Sequence, residues 1–459
     1  MRGQSFITSF TNSAFSTGQP ACKLENGSPV AVIGGGPSGS FFSYFLLEMA
    51  EREGLELKVD IYEPRDFSLP APQGCNNCAG VISETLVQNL AMEGINLPVA
   101  VVQRGIDSYV MHTDVGSLRI DTPSHEKRIG ALFRAAGPRG LVNSEWVGFD
   151  GHMLSLAQNK GAQVIKARVT DVERVDGRLQ VKTRNTPPQI YDLLSVASGV
   201  NTSALKLFED QEFNYQPPKT TRAAIHEYFL GADAIERYLG SSLHVFLLDI
   251  PNLMFAMIVP KGDYVTVCLL GADIDEDLVQ TFIRSPEVKS CFPPDWRGDQ
   301  PECQCFPRIN VRGAIQPYAD RVIFLGDAGV SRLYKDGIGA AYRAAKAAAS
   351  TAIFEGISAG DFKKHYWPAC RAMQIDNQFG RMIFTITHAI QRIRLSRRAV
   401  LLMAAREQRE DIPPRMSSVL WDTFTGSAPY RDIFLRTLQP AFLCRFAWDL
   451  ANEISRRET

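Results

Sequence analysis

One strand–turn–helix–strand signature near the start of the chain constrains the fold more than any other stretch. Val30-Ala-Val-Ile-Gly34-Gly-Gly36-Pro-Ser38-Gly39 is a short apolar strand that runs into a glycine turn and a helix. Lys58-Val-Asp-Ile-Tyr-Glu63 is the next strand, and a carboxylate closes it. Dinucleotide sites are built in this way. Gly34 permits the tight turn, and Gly36 lets backbone approach a pyrophosphate. Gly39 lets the helix that begins near Ser38 pack closely on the strand, and Glu63 stands where a ribose would lie. The helix N-terminus then presents its unpaired amides to the phosphates.

At 459 residues the chain exceeds the size at which one hydrophobic core stops growing, so two or more interlocked domains are expected. Hydrophobic residues at 45% and charged residues at 22% match globular proteins and exclude disordered and fibrous classes. A net charge of -1 offers nothing for bulk nucleic-acid binding. Nine cysteines, an odd number without a dense framework, read as the reduced thiols of a cytosolic protein. Two close pairs, Cys75/Cys78 and Cys303/Cys305, carry the residue type for zinc or an iron–sulfur cluster. The second pair is spaced more tightly than a metal knuckle and lies far from the first, so no metal is expected. Residues 1–27 are rich in Ser, Thr and Asn, lack the apolar core of a signal peptide and read as a flexible tail. No apolar run approaches the roughly 18 residues of a membrane helix. The expected location is cytoplasmic, with any membrane association peripheral.

Along the chain, residues 168–175 and 179–183 alternate as strands about Asp176-Gly177, a hairpin signature. A further strand, 193–197, ends in Ser198-Gly199. The strands 244–248, 253–259 and 264–270 mark a sheet-rich middle region that would wall a substrate pocket, and Lys261-Gly-Asp263 turns the last two into a hairpin. A late strand, 321–325, ends at Gly326-Asp327, and the Ala-rich run from Gly337 is made of strong helix formers. Beyond about Asp361 the chain reads as helical and carries many arginines. Residues 388–409 set Arg392, Arg394, Arg397 and Arg398 beside apolar residues, as a basic amphipathic helix would. Such a helix is either a solvated face packed on a domain or a surface for a membrane or an acidic partner.

Taken together, Gly34 to Gly39, Glu63, Gly326-Asp327 and Lys335-Asp336-Gly337-Ile338-Gly339 resemble the flavoprotein superfamily of p-hydroxybenzoate hydroxylase and geranylgeranyl reductase, over about 30–355. The resemblance implies an α/β fold in which a Rossmann-type FAD-binding domain is interleaved with a β-sheet substrate domain and followed by a helical C-terminal region. In residues, that is 28–110 with 145–205 and 305–355 for FAD, 206–304 for substrate and 356–459 for the helices. It implies FAD as cofactor, held by Gly34, Gly36, Ser38, Gly39, Glu63 and Arg65, by Ala79 and Gly80, by Gly326 and Asp327, and by the helix start Gly337, Ile338, Gly339 and Ala340. Asp327 would carry the ribityl chain and phosphates. The helix start would face the flavin pyrimidine, where a positive helix end stabilises the charge of the reduced ring.

Within the superfamily the nearer likeness is to geranylgeranyl reductases, through Cys78-Ala79-Gly80-Val81-Ile82-Ser83. Cys78 could act as proton donor, as redox partner or only as a small filler; Tyr334 is a weaker candidate donor. Phe255, Met257 and Val259 would supply an apolar wall. The sequence departs from the pattern in three places. The Tyr-x-Trp-x-Phe-Pro segment of the reductases appears as Phe255-x-Met257-x-Val259-Pro260. Ser198-Gly199 stands where hydroxylases have Asp-Gly, which puts NAD(P)H in doubt as the direct electron donor. The arginine expected shortly before Phe149-Asp150 is replaced by about Trp146, with Arg139 near enough to reach the region. The Trp-x-Trp-x-Ile-Pro segment of flavin halogenases is absent, which argues against halogenation.

The leading expectation is an FAD-dependent enzyme that reduces a carbon–carbon double bond of an isoprenoid or similar apolar substrate, through hydride at one carbon and a proton at the other. The alternatives are a flavin monooxygenase of an aromatic or polyketide-like compound, and an electron-transfer or scaffold protein that docks a protein or quinone partner through its basic helices. Nucleic acid is not an expected partner, and oligomeric state is open.

Overall fold

Pro29–Ile33 lies inside a six-stranded sheet because nearly every one of its residues is apolar and both faces are covered. Its neighbours are Lys58–Tyr62 and Leu193–Val196, both parallel, and the sheet continues to Gln163–Ile165 on one side and to Val322–Phe324 and Tyr318–Ala319 on the other. Only the Tyr318–Ala319 edge runs antiparallel. The structure, a computed structural model, describes residues 22–458 apart from 72, 74–77, 123–125, 127, 139, 141–145, 210–212 and 410–411.

On one face of this sheet pack the helices Pro37–Arg52, Phe149–Asn159 and Gly337–Ser350, and Tyr342 meets Phe41 and Phe45 edge to face between them. The other face is covered by a three-stranded antiparallel sheet, Val169–Val175, Arg178–Thr183 and Gln189–Tyr191. The first two of those strands turn through Asp176 and Gly177, both at positive φ (49° and 75°), as the paired turn residues predict.

The second sheet has seven strands in the order Cys303–Cys305, Ala224–Phe229, Tyr264–Gly271, Leu253–Lys261, Ser242–Phe246, Ser108–Thr113 and Gly116–Asp121. It draws on chain well before residue 206, where the sequence alone would begin it. Ser108–Thr113 pairs in parallel with Ser242–Phe246, a partner so distant in sequence that no local pattern announces it. Helices cover both faces. Glu276–Arg284 and Pro286–Lys289 lie on one, and the C-terminal helices pack Phe384, Val400, Met403, Leu420 and Phe424 onto the other.

The C-terminal region is helical, as expected, but 388–409 is not one helix. Trp367–Arg392 stops, Ile393 is extended (φ −107°, ψ 105°) and Arg394–Arg409 starts afresh. The break turns Arg397 inward, where it pairs with Asp114 at 2.5 Å, and brings Val400 and Met403 onto the sheet. The arginines therefore do not form one continuous basic stripe. No helix among the described residues is long and apolar enough to cross a membrane.

Candidate active site

The glycine turn has two kinds of position. Gly34 sits at φ +107°, and a Cβ there would meet the Ala197 carbonyl oxygen at 2.6 Å; at Gly39 it would meet the Gly34 carbonyl at 1.9 Å. These two glycines are demanded by packing. At Gly36 the nearest atom to a Cβ is Arg134 Nη2 at 3.5 Å, because this residue faces open space. That space is a cavity of about 400 Å³ lined by Gly34, Gly36, Ser38, Glu63, Arg65, Cys78, Ala79, Gly80, Asp327 and the start of the late helix, among others. No side chain among the described residues caps the Pro37–Arg52 helix, so its first amides are free to bind a ligand in the cavity. Glu63, almost fully buried, accepts the Gly35 amide at 2.9 Å on one oxygen and the Arg65 amide and guanidinium, each at 3.0 Å, on the other.

Arg134 is the arginine that the sequence reading missed. Its guanidinium holds the wholly buried Asp150 carboxylate in a fork, Nε to Oδ1 at 3.0 Å and Nη2 to Oδ2 at 2.7 Å, immediately over Gly36. Burial pushes the Asp150 carboxyl up and the guanidinium pulls it back. Arg134 lies at the end of Ile129–Leu132, a strand whose fold-back onto the turn is not legible from spacing. Trp146 stacks instead on Phe133 (centroids 5.7 Å apart) and touches the Gly262 turn. Arg139 lies outside the described residues.

A second uncapped helix N-terminus faces the same cavity. Gly337–Ser350 begins after Asp336, at φ 55°, and no side chain among the described residues caps it. Gly337 and Ile338 line the cavity; Gly339 and Ala340 do not. A Cβ on Gly339 would meet Asp336 Oδ1 at 2.2 Å, and Ala340 is buried in the sheet–helix core. Gly326 likewise serves packing, at φ +58° and with a Cβ there bound to meet Ser38 Oγ at 1.9 Å. The Asp327 side chain beside it is exposed and faces the cavity. Replacing Asp327 by Ala is expected to weaken FAD binding by about 1–3 kcal/mol with the fold unchanged, the scale for loss of one charged acceptor. Titration of the apoprotein with FAD checks this, and unchanged affinity would remove Asp327 from the site.

The far end of the cavity is apolar, lined by Ala223, Ile225, Met257, Leu270 and Phe424. Of the three residues expected to form the wall, only Met257 reaches it. Phe255 and Val259 share its face of the strand but are covered: the C-terminal helices pack Phe384 and Phe424 on Phe255, with centroids 5.6 Å apart in each case, and Val259 is buried in the same core. Cys78 lines the cavity half-buried, and the Gly80 amide donates to its Sγ at 3.4 Å. Tyr334 lines it too, at the strained φ of +60°, its phenol pushed up by burial. This strained segment is pinned from the C-terminal helices. Asn377 bonds Leu333 N and Ser331 O at 2.9 Å each, and the Tyr430 hydroxyl donates to Leu333 O. Cys303 and Cys305 lie in an edge strand of the seven-stranded sheet, and Cys75 falls outside the described residues.

Lys335, inside the quoted motif but not singled out from it, is the most unusual group in the cavity. Its Nζ contacts Met257 Sδ at 2.7 Å and lies 4.5 Å from the centre of the Phe255 ring, and no carboxylate among the described residues pairs with it. Burial brings its ammonium down to about 7. A lysine just before the glycine of a helix start was the only signal available.

No family model matches the chain, and no curated protein matches it. Solved structures do share its fold. A geranylgeranyl bacteriochlorophyll reductase-like protein from Thermoplasma acidophilum aligns with a TM-score of 0.56 at 15% identity, over 93% of this chain and 100% of that one. A flavoprotein/dehydrogenase from Cytophaga hutchinsonii aligns at 0.62 and 12% identity, over 93% and 100%. The halogenase PltM in complex with FAD aligns at 0.58 and 14% identity, over 95% and 92%. The chain has the fold of the FAD-dependent oxidoreductases.

Proposed function

We propose that the protein is an FAD-dependent oxidoreductase that reduces a carbon–carbon double bond in an isoprenoid or other apolar substrate. One observation carries the reading: a single cavity is lined by two uncapped helix N-termini and by an apolar wall beside a buried ammonium, Lys335, which has no carboxylate partner among the described residues. Bound FAD would supply hydride chemistry to a substrate in that chamber.

Gly36 and Ser38 would hold the pyrophosphate beside Arg134, with Asp327 on the ribityl portion and Glu63 on the adenosine ribose. The Gly337–Ile338 amides would favour negative charge on the ring they face. Ala223, Ile225, Met257, Leu270 and Phe424 would orient an apolar chain and exclude water from it. Lys335 takes over from Cys78 and Tyr334 as the leading proton donor. Burial tunes its ammonium to release a proton near neutral pH, whereas burial makes the Tyr334 phenol a poorer acid. Cys78, with the Gly80 amide on its sulfur, is the second candidate.

The same ammonium would attract an ionised phenol, which favours the monooxygenase as the second reading. Anaerobic photoreduction of the flavin-loaded protein, followed by a long isoprenoid alcohol, separates the two. The expected result is reoxidation of the flavin and a saturated product without oxygen. If no isoprenoid alkene reoxidises the flavin and a phenol is hydroxylated only when oxygen is admitted, the reductase reading is wrong.

A further inference from the structure

Away from the cavity, on the opposite face of the seven-stranded sheet, three side chains from distant parts of the chain converge. His112 comes from Ser108–Thr113, His244 from the adjacent strand Ser242–Phe246, and Cys291 from just beyond the helix Pro286–Lys289. His112 Nε2 lies 2.9 Å from His244 Nδ1, and Cys291 Sγ is 3.7 Å from each. All three are buried, against Phe246 and the core beneath it, and none lines the cavity. We propose that His112, His244 and Cys291 form a structural zinc site, with one water or hydroxide completing a tetrahedron.

The separations fit the ion. Zinc–nitrogen bonds of about 2.0–2.1 Å and zinc–sulfur bonds of about 2.3 Å at tetrahedral angles place donors roughly 3.3 Å (N···N) and 3.6 Å (N···S) apart. The observed triangle departs from this by less than about half an ångström; the two imidazoles, now nearly in line with centroids 5.1 Å apart, would turn off that line to aim both nitrogens at the ion.

The outer nitrogens are arranged for it as well. His244 Nε2 donates to the Leu239 carbonyl at 3.2 Å, which fixes the tautomer with a lone pair on Nδ1, facing the cluster. His112 Nδ1 has Ser117 Oγ at 2.8 Å, a partner that can accept its proton and so free Nε2 for a metal. Metal-bound histidines are held by their second nitrogen in this manner. The apolar surroundings, and a place outside the lining of the cavity, assign the ion to stapling. It would tie the outer strand Ser108–Thr113, recruited from the first excursion of the chain, to the strand and helix that follow residue 240. An imidazole–imidazole hydrogen bond with a nearby thiol is the metal-free alternative, and it predicts no ion.

The test uses the flavin-loaded full chain. Elemental analysis after expression with added zinc should find near-stoichiometric zinc, and chelation should lower the melting temperature until zinc is restored. Cobalt loaded into the chelated wild type should give a thiolate-to-cobalt charge-transfer band, lost in Cys291→Ser. Ser117→Ala, a mild surface-side change, should weaken zinc binding ~10-fold or more while flavin content stays the same. Failure of wild-type protein to take up zinc or to show the charge-transfer band overturns the proposal, whatever the variants do. So does zinc that persists at full occupancy in His244→Gln/Cys291→Ser, since the ion would then sit elsewhere.

Discussion

Gly36→Val is expected to purify as a folded protein without flavin. The cavity is open at this Cα, with nothing nearer than 3.5 Å to a Cβ, and the residue's φ of −70° and ψ of −173° suit a branched side chain, so the apoprotein loses little. The added methyls would occupy the space in front of the uncapped amides, where the pyrophosphate of the proposed FAD would lie. FAD affinity should fall by about 3 kcal/mol or more, over ~100-fold. Its neighbour makes the control. Gly39→Ala drives a Cβ to 1.9 Å from the Gly34 carbonyl, and a strand–helix contact that close cannot relax locally, so this variant should not fold stably. Flavin content and thermal melting of the two proteins separate the effects. Full flavin occupancy in Gly36→Val would end the assignment of this turn to a dinucleotide.

Lys335→Met should gain stability and lose activity, a pairing that few substitutions produce. The ammonium is fully buried against Met257 and Phe255 without a carboxylate partner among the described residues, and its folded value of about 7 lies below the ordinary lysine value of 10.5. The unfolded chain therefore holds the extra proton between these two values. Stability should rise as pH increases from about 7 towards 10.5 and be lowest below 7, where the buried charge is complete. Near neutrality the cost is on the order of 4 kcal/mol. Methionine, similar in length and apolar, removes the charge, so the variant should melt a few degrees higher at pH 7 and lose the alkaline rise. Turnover should fall ~10²–10⁴-fold, the usual contribution of a positioned acid. Wild-type kcat should decline as pH passes about 7, and the residual activity of the variant should not follow that limb. If Lys335→Met turns over at the wild-type rate, the proton comes from elsewhere, and Cys78 is the next residue to replace.

The first strand–turn–helix–strand unit was legible from one short stretch because its constraints are local. Gly34, Gly39 and Glu63 act on atoms of the same strand–turn–helix–strand unit, and a continuously apolar strand meeting a glycine turn states that geometry in consecutive residues. The hairpins about Asp176-Gly177 and Gly262-Asp263 were legible for the same reason. What lies across the cavity was decided by tertiary packing. Phe255, Met257 and Val259 are equivalent in the strand pattern; Phe384 and Phe424 on distant helices cover Phe255, Val259 is buried in the same core, and Met257 is left in the cavity. Arg134 reaches Asp150 because a strand folds back over the glycine turn, and Ser108–Thr113 joins the second sheet by pairing with a segment more than a hundred residues away. Lys335 stands inside the Lys335-Asp336-Gly337 motif, and nothing in its neighbours along the chain marks it as buried. The burial that lowers its ammonium comes from a sheet strand below and from C-terminal helices that pin the backbone at Leu333, through Asn377 and Tyr430, just before the positive φ of Tyr334. Periodicity and turn chemistry report what neighbours along the chain do to one another. Burial and long-range pairing depend on which surfaces meet after folding, and the chemistry at the apolar end of this cavity is set by those.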